Sequence, residues 1–274
     1  MHRRKRNYYK LFTIILFLSF LIMNCYLLIN KEMSQQQKQH VFSHRGASGE
    51  EVEHSFKAYD LALLYGSKFI EQDLVTSEED TLFVSHDLSA KRITGINKLF
   101  SKMTDHEIEQ LKTKDNQKIL KLQDVFDKYK NTTTYVIELK ENTKQIQLFE
   151  NIIKKNKLED YVIVQASDPK VLVALENSFP SMEKLLLVKN QKQLESGLNY
   201  NEVDIISVDK KLLNQKNVNL VHQKKKNFNT WTLNTTDEIK YAISLDVDTY
   251  FTNYTAKALS LEKENREEDF LDLF

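Results

Sequence analysis

The chain has 274 residues and no net charge, with 39 basic against 39 acidic side chains. Five of the basic residues (Arg3, Arg4, Lys5, Arg6, Lys10) stand in the first ten positions without an acid, so the remainder is mildly acidic, which excludes nucleic acid as the main partner. The single cysteine, Cys25, excludes an intramolecular disulfide, and with no cysteine after it a Cys-ligated zinc is excluded as well.

Leu11 to Ile29 is an uncharged run of nineteen residues, long enough for one membrane-spanning helix. The basic cluster before it is expected to keep the N-terminus in the cytoplasm and place the rest of the chain outside. No Ala-x-Ala-like site follows the run, which favours an uncleaved anchor over a signal peptide. The expected organisation is a basic tail (1–10), a transmembrane anchor (11–30), a polar spacer (31–40) and a folded domain (41–274). That is a single-pass cell-membrane protein with an extracellular domain.

Within the domain, short apolar runs predict strands at 41–44, 68–73, 135–140, 161–165, 184–188, 204–208, 228–232 and 249–252. Helical patterns cover 54–65, 122–130, 144–156, 169–178 and 211–225. In the first helix Phe56, Tyr59, Leu63 and Leu64 recur at helical spacing. The strands are nearly continuous apolar runs, as parallel strands covered by helices require. Eight such units read as an α/β fold, a (β/α)8 TIM barrel, with an open doubly wound sheet as the alternative. Residues 74–118 do not fit a βα unit and are expected to form a small insertion after the second strand. Residues 256–274 are charged and amphipathic, a capping or peripheral helix.

Three segments at neighbouring strand ends carry the chemistry: Ser43-His44-Arg45-Gly46, Glu71-Gln72-Asp73 and Ser85-His86-Asp87. Glu71 and Asp73 are two apart on a strand and share one face, which at the C-terminal mouth of a barrel looks into the site. Two carboxylates pointing together repel unless a cation lies between them, and all-oxygen ligation suits Ca²⁺ or Mg²⁺. Glu138, also at a strand end, is the natural third ligand. His44 and His86 titrate near neutral pH and are the proton-transfer candidates. His2, His40, His106 and His222 lack such context and read as structural or exposed. Arg45 offers a planar fork for a phosphate in a chain whose only other arginines beyond the basic tail are Arg92 and Arg266. Lys140 shares a face with Glu138 and adds positive charge against a phosphoryl transition state. Glu53 either positions substrate or a metal-bound water, or caps the following helix. Asp87 is expected to orient a neighbour, and His54 to be a surface residue at a helix start.

In their order and spacing these segments resemble the glycerophosphodiester phosphodiesterase family. That family has a His-Arg-Gly strand end, a Pro-Glu-Asn-Thr-like segment, a Glu-x-Asp pair, a His-Asp hairpin end and a Glu-x-Lys, matched here by Glu138-Leu139-Lys140. The later Thr230-Trp231-Thr232 and 247–253 match its closing strands, so the resemblance spans roughly 41–255. The second segment departs from the pattern: Val52-Glu53-His54-Ser55 keeps the glutamate and loses the proline and asparagine. The resemblance implies a TIM barrel that uses a divalent metal to hydrolyse glycerophosphodiesters to glycerol phosphate and an alcohol. His44 and His86 would be general base and acid; we assign His44 to the nucleophile and His86 to the leaving alcohol, though the residues alone do not order them. Trp231 would pack beside the glycerol. Attack by a neighbouring glycerol hydroxyl through a cyclic phosphate, and direct attack by water, both stay open. The substrate would be a deacylated head group, a lysophospholipid or a glycerol-phosphate polymer. Two other readings are a non-catalytic relative binding a phosphorylated envelope component, and a glycosidase-like barrel pairing Glu71 with Glu138. The latter leaves Arg45 and both histidines unexplained.

Overall fold

The computed structural model describes residues 16–20, 23, 40–141 and 143–271, in two compact units, Met1–Gln39 and His40–Phe274. In the first unit residues 16–20 and 23 are helical; the rest of the expected anchor lies outside the described residues. Among the described residues no helix is long and apolar enough to cross a membrane.

The second unit is built on eight parallel strands: β1 (Val41–Ser43), β2 (Phe69–Thr76), β4 (Thr134–Glu138), β5 (Val162–Ala166), β6 (Lys184–Val188), β7 (Ile205–Asp209), β8 (Asn227–Trp231) and β9 (Thr249–Thr252). β1 pairs with both β2 (Ser43↔Ile70) and β9 (Val41↔Tyr250), so the sheet closes on itself. Closure makes this a TIM barrel and overturns the open doubly wound alternative. Among the described residues every strand pairing lies within His40–Phe274, so this unit completes its own barrel.

The strands read as continuous apolar runs because both of their faces are buried. Outward residues such as Ile70, Tyr135, Val164, Leu186 and Ile206 pack under the helices. Inward residues Phe42, Val136, Ile163, Leu185, Ile205 and Phe251 fill the barrel. Side chains alternate along a strand, so Phe69, Glu71 and Asp73 all point inward, apolar below and acidic above. The register places Asp73 beside Glu138 and Glu138 beside Gln165.

The covering helices are α1 (Phe56–Leu64), α2 (Lys91–Thr94), α3 (Asp105–Gln110), α4 (Leu122–Tyr129), α5 (Thr143–Asn156), α6 (Pro169–Leu175), α7 (Gln191–Gly197), α8 (Gln215–Gln223), α9 (Thr236–Ser244) and α10 (Thr255–Leu271). Their starts are set by local chemistry: Ser55, Asp168, Asn190, Asn214 and Thr235 each accept from an otherwise unpaired first-turn N–H. The predicted helix 211–225 is divided into a 3₁₀ turn (Lys210–Leu212) and α8, because Asn214 caps a new start. Helices α7 and α9 escaped the periodicity because each buries only two residues, Leu194 and Gly197 in α7, Ile239 and Ala242 in α9.

The insertion follows β2 as expected. β3 (Leu82–Val84) pairs antiparallel with the end of β2, and Phe83, Phe100, Met103, Ile108 and Ile119 form a small separate core with Val75.

Candidate active site

A cavity of about 180 Å³ opens at the C-terminal ends of the strands, and His44, Arg45, Glu71, Asp73, His86, Glu138 and Trp231 line it together. Lys140 reaches the same cluster through its Nζ, 2.7 Å from Asp73 Oδ1 and 2.8 Å from the His86 carbonyl. Glu53 is the one expected site residue set back from this group, held between two guanidinium groups.

The turn after β1 aims the first three groups. Arg45 and Gly46 both adopt left-handed backbone (φ 59° and 82°). A Cβ on Gly46 would lie 2.7 Å from the Ala58 carbonyl carbon, so only glycine lets this turn lie against α1. The turn points the Arg45 N–H at Glu71 Oε2 (2.8 Å) and places Arg45 Nε 3.4 Å from Asp73 Oδ2.

The carboxylates are buried and crowded. Burial, then the neighbouring Asp73 charge, pushes the Glu71 carboxyl well above the usual range. Burial and Asp73 likewise push Glu138 up to about 8. Burial works in the same direction on Asp73, but the hydrogen bond from His54 and the charge of Lys140 hold it well below the usual range. Asp73 is therefore the carboxylate that stays charged, and the other two take up protons unless a cation replaces them. An oxygen-rich group with that deficit of positive charge fits a hard divalent ion. Glu71, Asp73 and either Glu138 or His54 could hold one; ligand atoms of His54, Glu71 and Asp73 lie within 4.8 Å of one another.

The two cavity histidines are oriented alike. His44 Nδ1 is 2.6 Å from Asn253 Oδ1, an acceptor, so Nδ1 carries the hydrogen and Nε2 keeps a lone pair. Burial, then the adjacent Arg45 charge, lowers His44 to about 4, so it is neutral at pH 7. His86 Nδ1 donates to Asp87 Oδ1 (2.7 Å), which leaves Nε2 available there too. Burial and the charges of Lys140 and Arg45 lower its pKa.

His54 departs from the surface position expected of it. It is 5% exposed, with a left-handed backbone (φ 56°) that turns the ring inward. Its Nε2 lies 2.8 Å from Asp73 Oδ2 and its Nδ1 3.0 Å from the Tyr59 hydroxyl. A carboxylate only accepts, so Nε2–H donates to Asp73 and Nδ1 accepts from Tyr59. Glu53 does not cap α1, since Ser55 does. Its carboxylate accepts instead from Arg92 Nη1 (2.8 Å) and Nη2 (2.6 Å), and more weakly from Arg45 Nη1 (3.3 Å). Sequence reasoning assigned no role to Gln165, Ser167, Lys189, Thr232, Phe251 and Asn253, which also surround the cavity or brace it. All stand at or just past strand ends with the inward parity of Glu71 and Asp73, except Thr232; that parity was the available signal.

The sequence matches the Glycerophosphoryl diester phosphodiesterase family across residues 44–257. The chain belongs to this family. A glycerophosphodiester phosphodiesterase of Bacillus subtilis (strain 168) is 27% identical over 242 residues, covering 77% of this chain and 82% of that protein. A lysophospholipase D of Homo sapiens is 30% identical over 128 residues, 42% of this chain and 40% of the human protein. Among solved structures, an Oleispira antarctica phosphodiesterase in complex with the product sn-glycerol-3-phosphate superposes with a TM-score of 0.76. It has 18% identity and covers 83% of this chain and 98% of its own. Family membership displaces the glycosidase-like reading and makes the chain a phosphoric diester hydrolase by class.

Proposed function

We propose that the barrel hydrolyses glycerophosphodiesters to glycerol phosphate and an alcohol. The observation that carries this reading is the convergence of two Nε2-available histidines, three carboxylates and two cations, Arg45 and Lys140, around one cavity. The phosphate would sit between Arg45 and Lys140. His44 Nε2 takes the proton of the attacking oxygen, that of water directly or of a neighbouring glycerol hydroxyl whose cyclic phosphate water then opens. The bond from phosphorus to the leaving oxygen breaks as His86 gives that oxygen a proton. The negative phosphate offsets the two cations that depress His86, so substrate itself favours the protonated acid. Glu71, Asp73 and Glu138 are assigned as ligands of a divalent ion, Ca²⁺ or Mg²⁺, because Glu138 lines the cavity while His54 lies behind Asp73. When bound, that ion supplies positive charge against the pentavalent transition state. Trp231 forms a wall of the cavity, with its Nε1–H given to the Ser207 carbonyl, and would meet the glycerol.

The test is release of glycerol 3-phosphate from diesters of several head groups, with Ca²⁺, Mg²⁺ or a chelator. Metal-dependent turnover should fall at least about 100-fold in His44→Ala, and Glu71→Ala should also lose metal binding. A folded, metal-bound protein without turnover on these diesters, lysophospholipids or glycerol-phosphate polymers would instead be a phosphoester-binding relative.

We further propose that the run 11–29 anchors the chain in the cell membrane with the barrel outside. The apolar length and the preceding basic cluster support this. It favours a lysophospholipid or an envelope polymer as substrate over a free head-group diester. External protease should remove the barrel from intact cells; full protection would refute the topology.

A further inference from the structure

Of the six large apolar side chains exposed among the described residues of the barrel unit, Leu64, Val173 and Tyr241 are scattered on separate helices, which needs no explanation. The other three, Leu88, Ile96 and Leu99, fall in one short loop of the insertion, each 48% exposed. Ser89 bridges Leu99, and the Phe100 N–H bonds to the Leu88 carbonyl, so the two arms of the loop lie side by side, with Ile96 near the tip. Phe100, next to Leu99, is buried in the insertion's own core and ties the loop to it.

The same fifteen residues, Leu88 to Lys102, contain Lys91, Arg92, Lys98 and Lys102 and no acid, in a chain of zero net charge. Arg92 is spent on Glu53 and Asp87, and Lys98 meets Glu107. Lys91 and Lys102 stand exposed at the loop's flanks. The loop begins two residues after His86, which lines the cavity.

We propose that this loop is a docking surface for an anionic lipid bilayer. Exposed apolar side chains flanked by lysines in one loop match the acyl boundary and the headgroup charge of such a surface at once. A second copy of the chain is a poor occupant, because a two-fold contact would set like charges against each other. Docking by this loop would bring His86, two residues before it, toward the headgroup layer. The proposal concerns a surface and stands apart from the diesterase reading.

The experiment is co-sedimentation of the His40–Phe274 unit with vesicles of phosphatidylcholine, alone or mixed with phosphatidylglycerol. The unit should bind the anionic vesicles at least about tenfold better, since each lysine near an anionic surface contributes about fivefold. Lys91→Glu/Lys102→Glu should lower that binding by at least about 25-fold, and Ile96→Asp/Leu99→Asp should abolish it. Both variants should turn over a soluble glycerophosphodiester as the parent does, which shows that they fold. Vesicle binding without any turnover in the parent would sustain the surface while sinking the diesterase reading. Equal binding to both vesicle types would overturn the proposal, as would parent-like binding by Ile96→Asp/Leu99→Asp. So would a concentration-dependent dimer that the same variant dissolves.

Discussion

At position 54 a histidine stands where the family's segment carries asparagine, and its ring bridges Asp73 and the Tyr59 hydroxyl. Such a partner orients a metal-binding carboxylate and fixes its charge without touching substrate. His54→Ala should therefore lower metal affinity or turnover by about 10–100-fold, with His54→Asn, which keeps an N–H donor, recovering part of the loss. Calorimetric metal titration of both variants checks this; parent-like affinity in His54→Ala would leave the ring a packing role only. The sequence reading named this segment as degraded and so discounted His54. What it lacked was the positive φ, a backbone property that turns the side chain inward and has no signature in residue type.

At the scale of elements, α2 of the insertion is tied to the turn before α1 by Arg92, which reaches Glu53 and Asp87 together. Burial would raise the Glu53 pKa, but the hydrogen bond from Arg92, followed by the charge of Arg45, lowers it to about 2. A carboxylate depressed on folding stabilises fully above its unfolded pKa, near 4.5, and loses that contribution as pH falls toward about 2. Arg92→Gln should thus cost about 1 kcal/mol at pH 7, a modest figure because Arg92 is half-exposed. The gap between variant and parent should close over that acid window in denaturant titrations. A gap independent of pH would mean that Arg92 acts through packing of its stem. The insertion itself was legible as an interruption of the βα rhythm. The clamp was not, since it joins residues 39 apart in sequence.

For the whole molecule, the metal site proposed for the carboxylate cluster would link metal binding to protons and to stability. Burial pushes Glu138 up to about 8 and Glu71 well above the usual range, so a cation must displace protons there and apparent affinity should rise with pH between about 6 and 8. Saturation at about 100 times Kd should stabilise the fold by about 2.7 kcal/mol, seen as a rise in the melting midpoint that Glu71→Ala abolishes. An affinity flat between about pH 6 and 8 would remove Glu138 from the ligand set. Sequence alone determined the number and order of the strands, the insertion and seven residues of the cavity, because short apolar runs and strand-end position are local properties. It did not choose between a closed barrel and an open sheet. That choice rests on pairing β1 with both β2 and β9, contacts between the two ends of the domain. The same closure brought Asn253 to His44, and the inward turn brought His54 to Asp73. Only tertiary structure decides such contacts, because they join side chains whose separation along the chain bears no relation to their distance in space.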